Sequence, residues 1–446
     1  MSAYFTLRQR AMTRRFWGYA LPSIMAMLVS GAYYLVDGIF VGHYVGAATA
    51  ISFQQGAKNL KLARQALVNA LWLLALLGTL APLLLHHWHI DILLALGIKQ
   101  GTETWKQASD YLYWIGGGTL LLASNLAVPY LLRNDGKPRL AMILVSGGAV
   151  LNIILNYIMV GRLGLGLVGS AQATLMSEGV VSLLGLGYFF TSHAKLNLSW
   201  RHLVPNFPAM PNLLFTGLPS LIAQFNLGLL LLLHNSQLMA YGTIKDLAGY
   251  TVAGYTEAIF IVILQGLAFG IQPLVSQAAG AKRYRDLKFL MEMGLKITLV
   301  YGMAVWLLIQ LLPRQVAMLY TGGQDAELLA AAVSSLTLNL SAIPLEGIII
   351  FGIVLLQSMA RTKQALIISA AKTLLLLPLI FLLPMQWGRE GVLLAQPTTV
   401  LLLTLPLCWL LWREWRRLKL ACAPQGLHQA TGLTARQALR LARRPS

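Results

Sequence analysis

Residues 131–174 read LLRNDGKPRLAMILVSGGAVLNIILNYIMVGRLGLGLVGSAQAT, and residues 355–398 read LLQSMARTKQALIISAAKTLLLLPLIFLLPMQWGREGVLLAQPT. The two stretches align without a gap at a spacing of 224. Gly164 falls opposite Gly388, and Ala171-Gln172-Ala173-Thr174 opposite Ala395-Gln396-Pro397-Thr398. Each holds a basic loop, an apolar run of membrane length, and a glycine-marked turn into the next run. Two copies of such a stretch mean one helical unit built twice. The match extends outward. Leu21-Pro22-Ser23 opens the first half as Leu218-Pro219-Ser220 opens the second, and Gly56-Ala57-Lys58 answers Gly280-Ala281-Lys282.

Composition says what surrounds these units. Apolar residues are 57% of the chain and charged ones 11%, where a soluble domain carries about 25% charge to cover its surface. Lipid must therefore cover most of this one. Apolar runs lie near 16–41, 63–85, 110–132, 140–160, 166–190, 213–240, 248–275, 290–312, 332–358, 364–385 and 391–412, eleven in all. The expected fold is all-α and integral to the membrane: an N-terminal lobe over 1–201, a C-terminal lobe over 202–415, and a basic tail over 416–446. The net charge of +19 gathers at alternate helix ends, which is the positive-inside pattern. That pattern excludes nucleic acid as a partner and puts a multi-pass chain in the plasma (inner) membrane with both termini cytoplasmic. Arg8, Arg10, Arg14 and Arg15 precede an apolar run too long for a cleavable leader. Trp412, Trp415, Arg413, Arg416, Arg417 and Lys419 suit an interfacial anchor.

One span is missing from the repeat. Gly46 to Ile51 covers 5 positions where Gly242 to Val275 covers 33, so 28 residues, about one crossing, are absent from the first half. Charge parity agrees. The Arg8–Arg15 cluster and Lys58, Lys61 and Arg64 all read as inside, yet Ala47 to Gln55 looks too short and polar to cross. The parent plan is six helices plus six, with the second helix of the first lobe lost.

Buried charge marks the candidate chemistry. Asp37 sits in the outer half of the first span, where an ionised carboxylate costs about 2.5 kcal/mol or more. It should face a cavity, and burial favours its proton-carrying form. Asn152 and Asn156 are four apart and share a helix face, while their repeat counterparts are Leu376 and Ile380. The scaffold does not demand that polar pair. Tyr33, one turn from Asp37, is expected on the same cavity, and Pro22 can act as a hinge because proline frees a helix carbonyl. Glu178, Glu257, Glu346 and Lys372 are further charges inside apparent spans and candidates for a substrate cavity. Glu346 and Lys372 could pair across helices, whereas Glu257, early in its span, reads equally as interfacial. Gly164 to Gly169 fits GxGxxG but follows no strand, and His86, His87 and His89 form one short cluster without metal-ligand partners.

Val36-Asp37-Gly38-Ile39-Phe40-Val41-Gly42, Asn134-Asp135-Gly136-Lys137-Pro138-Arg139, Gly169-Ser170-Ala171-Gln172-Ala173-Thr174 and Gly270-Ile271-Gln272-Pro273-Leu274-Val275-Ser276 are co-linear over nearly the whole chain to about residue 415. Together they resemble the multidrug and toxic compound extrusion (MATE) family, in its bacterial drug-exporter branch. The resemblance implies a monomeric secondary transporter, not an enzyme, with no cofactor beyond a coupling H⁺ or Na⁺. It would export amphipathic, cationic small molecules from the bilayer by alternating access. It also implies a cation site at Asp37, Asn152, Asn156 and Thr174. Many members carry Asp where this chain has Asn156, which favours H⁺ over Na⁺, since hard cations prefer charged oxygens. A lipid-linked oligosaccharide flippase of the same superfamily is the alternative, disfavoured because a pyrophosphate needs more cavity cations than Lys372 and Lys296. A membrane-embedded transferase would need a paired acidic metal motif, which the sequence lacks.

Overall fold

The computed structural model describes residues 40, 42–95 and 100–422. Pro22, Tyr33, Asp37 and the tail beyond Cys422 lie outside the described residues. The described chain is helix and short connection, with no strand among the described residues. In order the helices are α1 (42–56), α2 (Leu60–Ala95), α3 (Glu103–Gly117), α4 (Thr119–Asn134), α5 (Pro138–Asn156), α6 (Gly166–Gly187), α7 (Met210–Tyr241), α8 (Ile244–Gly280), α9 (Tyr284–Leu311), α10 (Pro313–Thr321), α11 (Ala326–Asn339), α12 (Ile343–Ser358) and α13 (Thr362–Ala421). Seven are long and apolar enough to cross a membrane, or nine when the bent pairs α3–α4 and α11–α12 each count as one span. The 60 residues of α13 would rise about 90 Å if straight, far beyond one bilayer. Gly388, at φ 53° and ψ −133°, breaks α13 into two arms. Counting both arms brings ten of the eleven apolar runs onto helices; the run at 16–41 lies almost wholly outside the described residues.

The repeat is written into the backbone. Helices α4 and α12 share both ends at the 224 offset, as do the starts of α2 and α9, and of α5 and α13. The bends recur too, 51° at α3–α4 and 49° at α11–α12. Left-handed residues occur in mated positions: Lys58 with Lys282, Gly136 with Ala360, and Gly164 with Gly388. For a non-glycine residue this conformation costs about 1–2 kcal/mol. At Lys58, Lys282 and Ala360 it ends a helix, where a left-handed residue lets the last carbonyls find donors: Arg283 and Arg361 N–H reach back to Ala278 and Leu356 oxygens.

Ala47 to Gln55, read from sequence as too short and polar to cross, belong to helix α1. These residues are helical, and Ala47, Ala48 and Ser52 are wholly buried. The 224 register also runs through α1: Gly42, Gly46 and Gly56 stand opposite Gly266, Gly270 and Gly280. The 15 described residues of α1 thus carry the same glycines as the last 15 residues of α8.

By packing, the chain divides into two compact units. One joins the residues up to Ile51 with Leu60–Ala240, and the other joins Ser52–Asn59 with the chain from Tyr241. In the first unit α1 lies backbone to backbone on α7. A Cβ on Gly42 would come within 2.7 Å of Leu221 Cβ, and one on Gly46 within 2.6 Å of the Leu213 oxygen. Small residues four apart permit such contact between membrane helices. Leu67, Leu131, Leu132 and Phe189 centre this unit's core. The fully buried Asp135, from the NDGKPR motif, closes one end by accepting the Tyr188 hydroxyl at 2.8 Å and the Lys195 and Leu196 amides at 3.0 and 3.1 Å. The second unit packs around Met291, Phe351, Leu356 and Leu407. There Glu414, 4% exposed, takes ion pairs from Arg361 and Arg417.

Candidate functional site

In the first unit the amide side chains of α5 meet the hydroxyls of α6. Asn152 Nδ2 donates to Thr174 Oγ1 and Ser177 Oγ, both at 3.3 Å. Asn156 Nδ2 donates back to the Asn152 carbonyl oxygen at 3.0 Å and its Oδ1 at 3.1 Å. The hydroxyls of Thr174 and Ser177 donate to the Ser170 and Thr174 carbonyls. Three of the four residues proposed for the ion site therefore form one network, and Asp37 lies outside the described residues. Ser177 was missed, because a serine in a membrane helix ordinarily satisfies itself on its own turn. Immediately past Asn156 the helix widens into a π-helical turn, Tyr157–Arg162, a local irregularity frequent at functional sites. The repeat mates Leu376 and Ile380 are buried apolar core at 1% and 0% exposure, so the polar cluster belongs to one half alone. Its groups are all neutral. They can donate to or accept from a carboxyl, but they supply no charged oxygen for a hard cation.

The same unit holds a cavity of about 1040 Å³ reached by α2 to α6, lined by Pro82, His86, Tyr113, Trp114, Leu155 and Leu183 among others. Its wall is overwhelmingly apolar and aromatic, with no acidic residue among the described residues. Leu151 and Leu155 line it from α5 beside Asn152. That volume sits at the upper end of small-molecule sites, about 300–1,000 Å³. Of the residues nominated from sequence for a substrate cavity, Glu178, Glu257, Glu346 and Lys372 do not line it, and Tyr33 lies outside the described residues. Glu178 instead contacts Asn125 of α4. His86 and His89, set aside as interfacial, are on its wall, and the signal for Tyr113 and Trp114 was only their presence in an apolar run.

Glu257, Glu346 and Lys372 come together in the second unit. Glu346 and Lys372 form the expected ion pair, their side chains 4% and 12% exposed. Glu257 is not interfacial: it is 8% exposed. Gln396 Nε2 donates to one of its oxygens at 2.6 Å and Asn339 Nδ2 to the other at 3.1 Å. Four helices, α8, α11, α12 and α13, supply this cluster. A space of about 10 Å³ lies beside it, room for one water at most. In the turn once weighed as GxGxxG, Gly164 and Gly166 have φ of 67° and 54°. His89 Nδ1 lies 2.7 Å from the His86 carbonyl oxygen, with the two rings stacked at 5.7 Å.

Comparison with known proteins bears on the whole chain. The MatE family model matches twice, over residues 23–158 and 219–382. The two matches end 224 apart (382 − 158) but start 196 apart (219 − 23), so the first is shorter by 28 residues. The multidrug export protein MepA of Staphylococcus haemolyticus is 24% identical over 295 residues, 65% of this chain and 63% of its own length. The chain thus spans less than two thirds of that relative. A FAD transporter of Shewanella oneidensis is 26% identical over 388 residues, covering 83% of this chain and 82% of its own. An outward-facing multidrug resistance transporter of the MATE family superposes with a TM-score of 0.81 at 22% identity, over 92% of this chain and 93% of that one. At that identity the likeness speaks for fold.

Proposed function

The chain belongs to the MatE family, and on that premise we propose that it is a secondary active exporter of amphipathic organic cations and related lipophilic toxins, driven by exchange for H⁺. The observation that carries the reading is the first unit's large apolar and aromatic cavity, with a hydrogen-bonded amide and hydroxyl cluster on the adjoining helices. Aromatic faces such as Tyr113 and Trp114 attract organic cations, and apolar walls take the lipophilic remainder. A dinucleotide cargo, suggested by the FAD transporter, finds less support, because among the described residues of that wall only His86 and His89 could face a pyrophosphate.

Asp37 is the proposed proton carrier, with Asn152, Asn156 and Thr174 as its hydrogen-bonding partners and Ser177 behind them. Coupling requires a group whose affinity for the ion differs between conformations, and a carboxyl that exchanges lipid-depth burial for amide donors meets that need. The neutrality of the described cluster supports H⁺ over Na⁺. One proton moving down 100 mV supplies about 2.3 kcal/mol, enough for nearly two decades of a neutral substrate's gradient at about 1.4 kcal/mol per decade. The test is uptake of a fluorescent organic cation, and of FAD, into proteoliposomes with an imposed pH gradient. Asp37→Asn should abolish gradient-driven accumulation while leaving insertion intact, and Asn156→Asp should shift the pH optimum or introduce Na⁺ dependence. Uphill transport by Asp37→Asn at the parental rate would move the coupling site to Glu257 and its neighbours. Accumulation of FAD alone would replace the substrate class.

A further inference from the structure

On the second unit, α9 and the distal arm of α13 enclose a groove of about 410 Å³ whose floor is apolar, including Met291, Leu295, Leu299, Ile348 and Leu411. Lys296 and Trp412 also line it. Around its mouth the charges are lopsided. Lys288 and Lys419 stack over the Trp415 ring at 5.4 and 5.2 Å, Arg416 over Trp412 at 3.9 Å, and Glu292 accepts the Trp415 indole N–H at 2.6 Å. Lys288, Lys296, Arg416 and Lys419 therefore face one carboxylate, Glu292, which Lys288 already engages at 3.5 Å.

Lys296 is the informative member. It is exposed, and among the described residues it makes no ion pair. It stands 12 residues into α9, about 18 Å from the start of that helix. Ile297, Leu299 and Val300 beside it are exposed apolar residues, so the stretch faces lipid. The 28 residues of α9 span about 42 Å against about 30 Å of hydrocarbon. Lys296 thus lies inside the apolar layer, where an uncompensated cation is costly, and it must stretch along the groove toward the Trp412 level.

We propose that this groove is a binding site for one anionic phospholipid of the adjacent leaflet. An acyl chain lies along Leu295, Leu299, Ile348 and Leu411, and the phosphate sits between Lys296 and Arg416, with Lys288 and Lys419 as outer cations. A zwitterionic lipid would fill the floor equally well but leave the positive mouth unneutralised. Charge is therefore what selects the occupant.

The experiment uses the full chain purified in detergent, incubated with phosphatidylglycerol or phosphatidylcholine, with retained lipid counted by native mass spectrometry. The intact protein should retain one phosphatidylglycerol in preference to phosphatidylcholine. The double variant K296Q/R416Q should weaken that retention about 30-fold, from two lost lipid-facing cations. R201Q, which removes a cation from the first unit, should not. L299W fills the groove without changing charge and should also release the lipid, which keeps the test informative if the double variant folds poorly. Equal retention of both lipids, undiminished retention by K296Q/R416Q or L299W, or an equal loss in R201Q would overturn the assignment.

Discussion

A buried carboxylate in a membrane helix is stable only with its partners in place, and the Glu346–Lys372 pair makes that measurable. Removing one partner of a buried pair leaves an uncompensated charge and costs about 3–5 kcal/mol, whereas replacing both with apolar residues is often neutral. Lys372→Met should lower the thermal unfolding midpoint in detergent sharply, and Glu346→Met/Lys372→Met should recover most of it. A double variant as unstable as the single one would show that the pair contributes more than mutual neutralisation. At this scale the sequence was informative where spacing carries geometry. Asn152 and Asn156 could be placed on one face, and the apolar repeat mates singled them out. The partners of Glu257 could not be found that way: Asn339 and Gln396 arrive on other helices, and only the assembled bundle says which amides meet it. The substrate-cavity nominations followed charge into apparent spans, but the large cavity is walled by apolar and aromatic residues, which look like any other membrane-helix residues in sequence.

Helix α1 shows how mated positions can share a register and differ in surroundings. Gly46 and Gly270 correspond at 224, yet a Cβ on Gly46 would strike the Leu213 and Gly217 backbone at 2.6 and 2.7 Å, while one on Gly270 would meet nothing within 4 Å. Backbone cannot yield as a flexible side chain can, so Gly46→Ala should push α1 off α7. The expected result is a lower unfolding midpoint and less monodisperse protein by size exclusion. Gly270→Ala should be neutral or slightly stabilising, because glycine in a helix interior is about 0.8–1.0 kcal/mol worse than alanine. Equal effects at the two positions would mean that the α1–α7 contact is not formed. Helix existence was legible in the sequence because 20-residue apolar runs leave little choice in lipid. The helical state of 42–56 was not, since Gln54, Gln55 and three glycines interrupt the apolar pattern, and the close contacts of those glycines with α7 and α8 are tertiary.

For the molecule as a whole, the repeat was legible because a gapless 224 spacing is hard to produce by chance, and the family match reproduces its 28-residue deficit independently. The site of the deficit is less sharply written, because Gly46 fits Gly242 at the 196 spacing of the match starts and Gly270 at the 224 spacing of their ends. The positive-inside pattern leads us to expect both basic ends, Arg8–Arg15 and the tail, on the cytoplasmic side, which would require an even number of crossings. The chain must then leave and return between Arg15 and Lys58. The 42 intervening residues hold two passages of about 20 residues with almost nothing left for a turn. The 28 residues by which the first family match is shorter than the second would rise about 42 Å as helix, enough for one full crossing. Inserting 28 apolar residues, the length of that deficit, after Ala50 should relieve that constraint and raise the unfolding midpoint and yield without moving either terminus. Cysteine labelling checks the second half: Ser2→Cys and the native Cys422 should react from the same side before and after insertion. Should Ser2→Cys change sides on insertion, the chain crosses only once before Lys58, and the charge-based placement of its N-terminus fails.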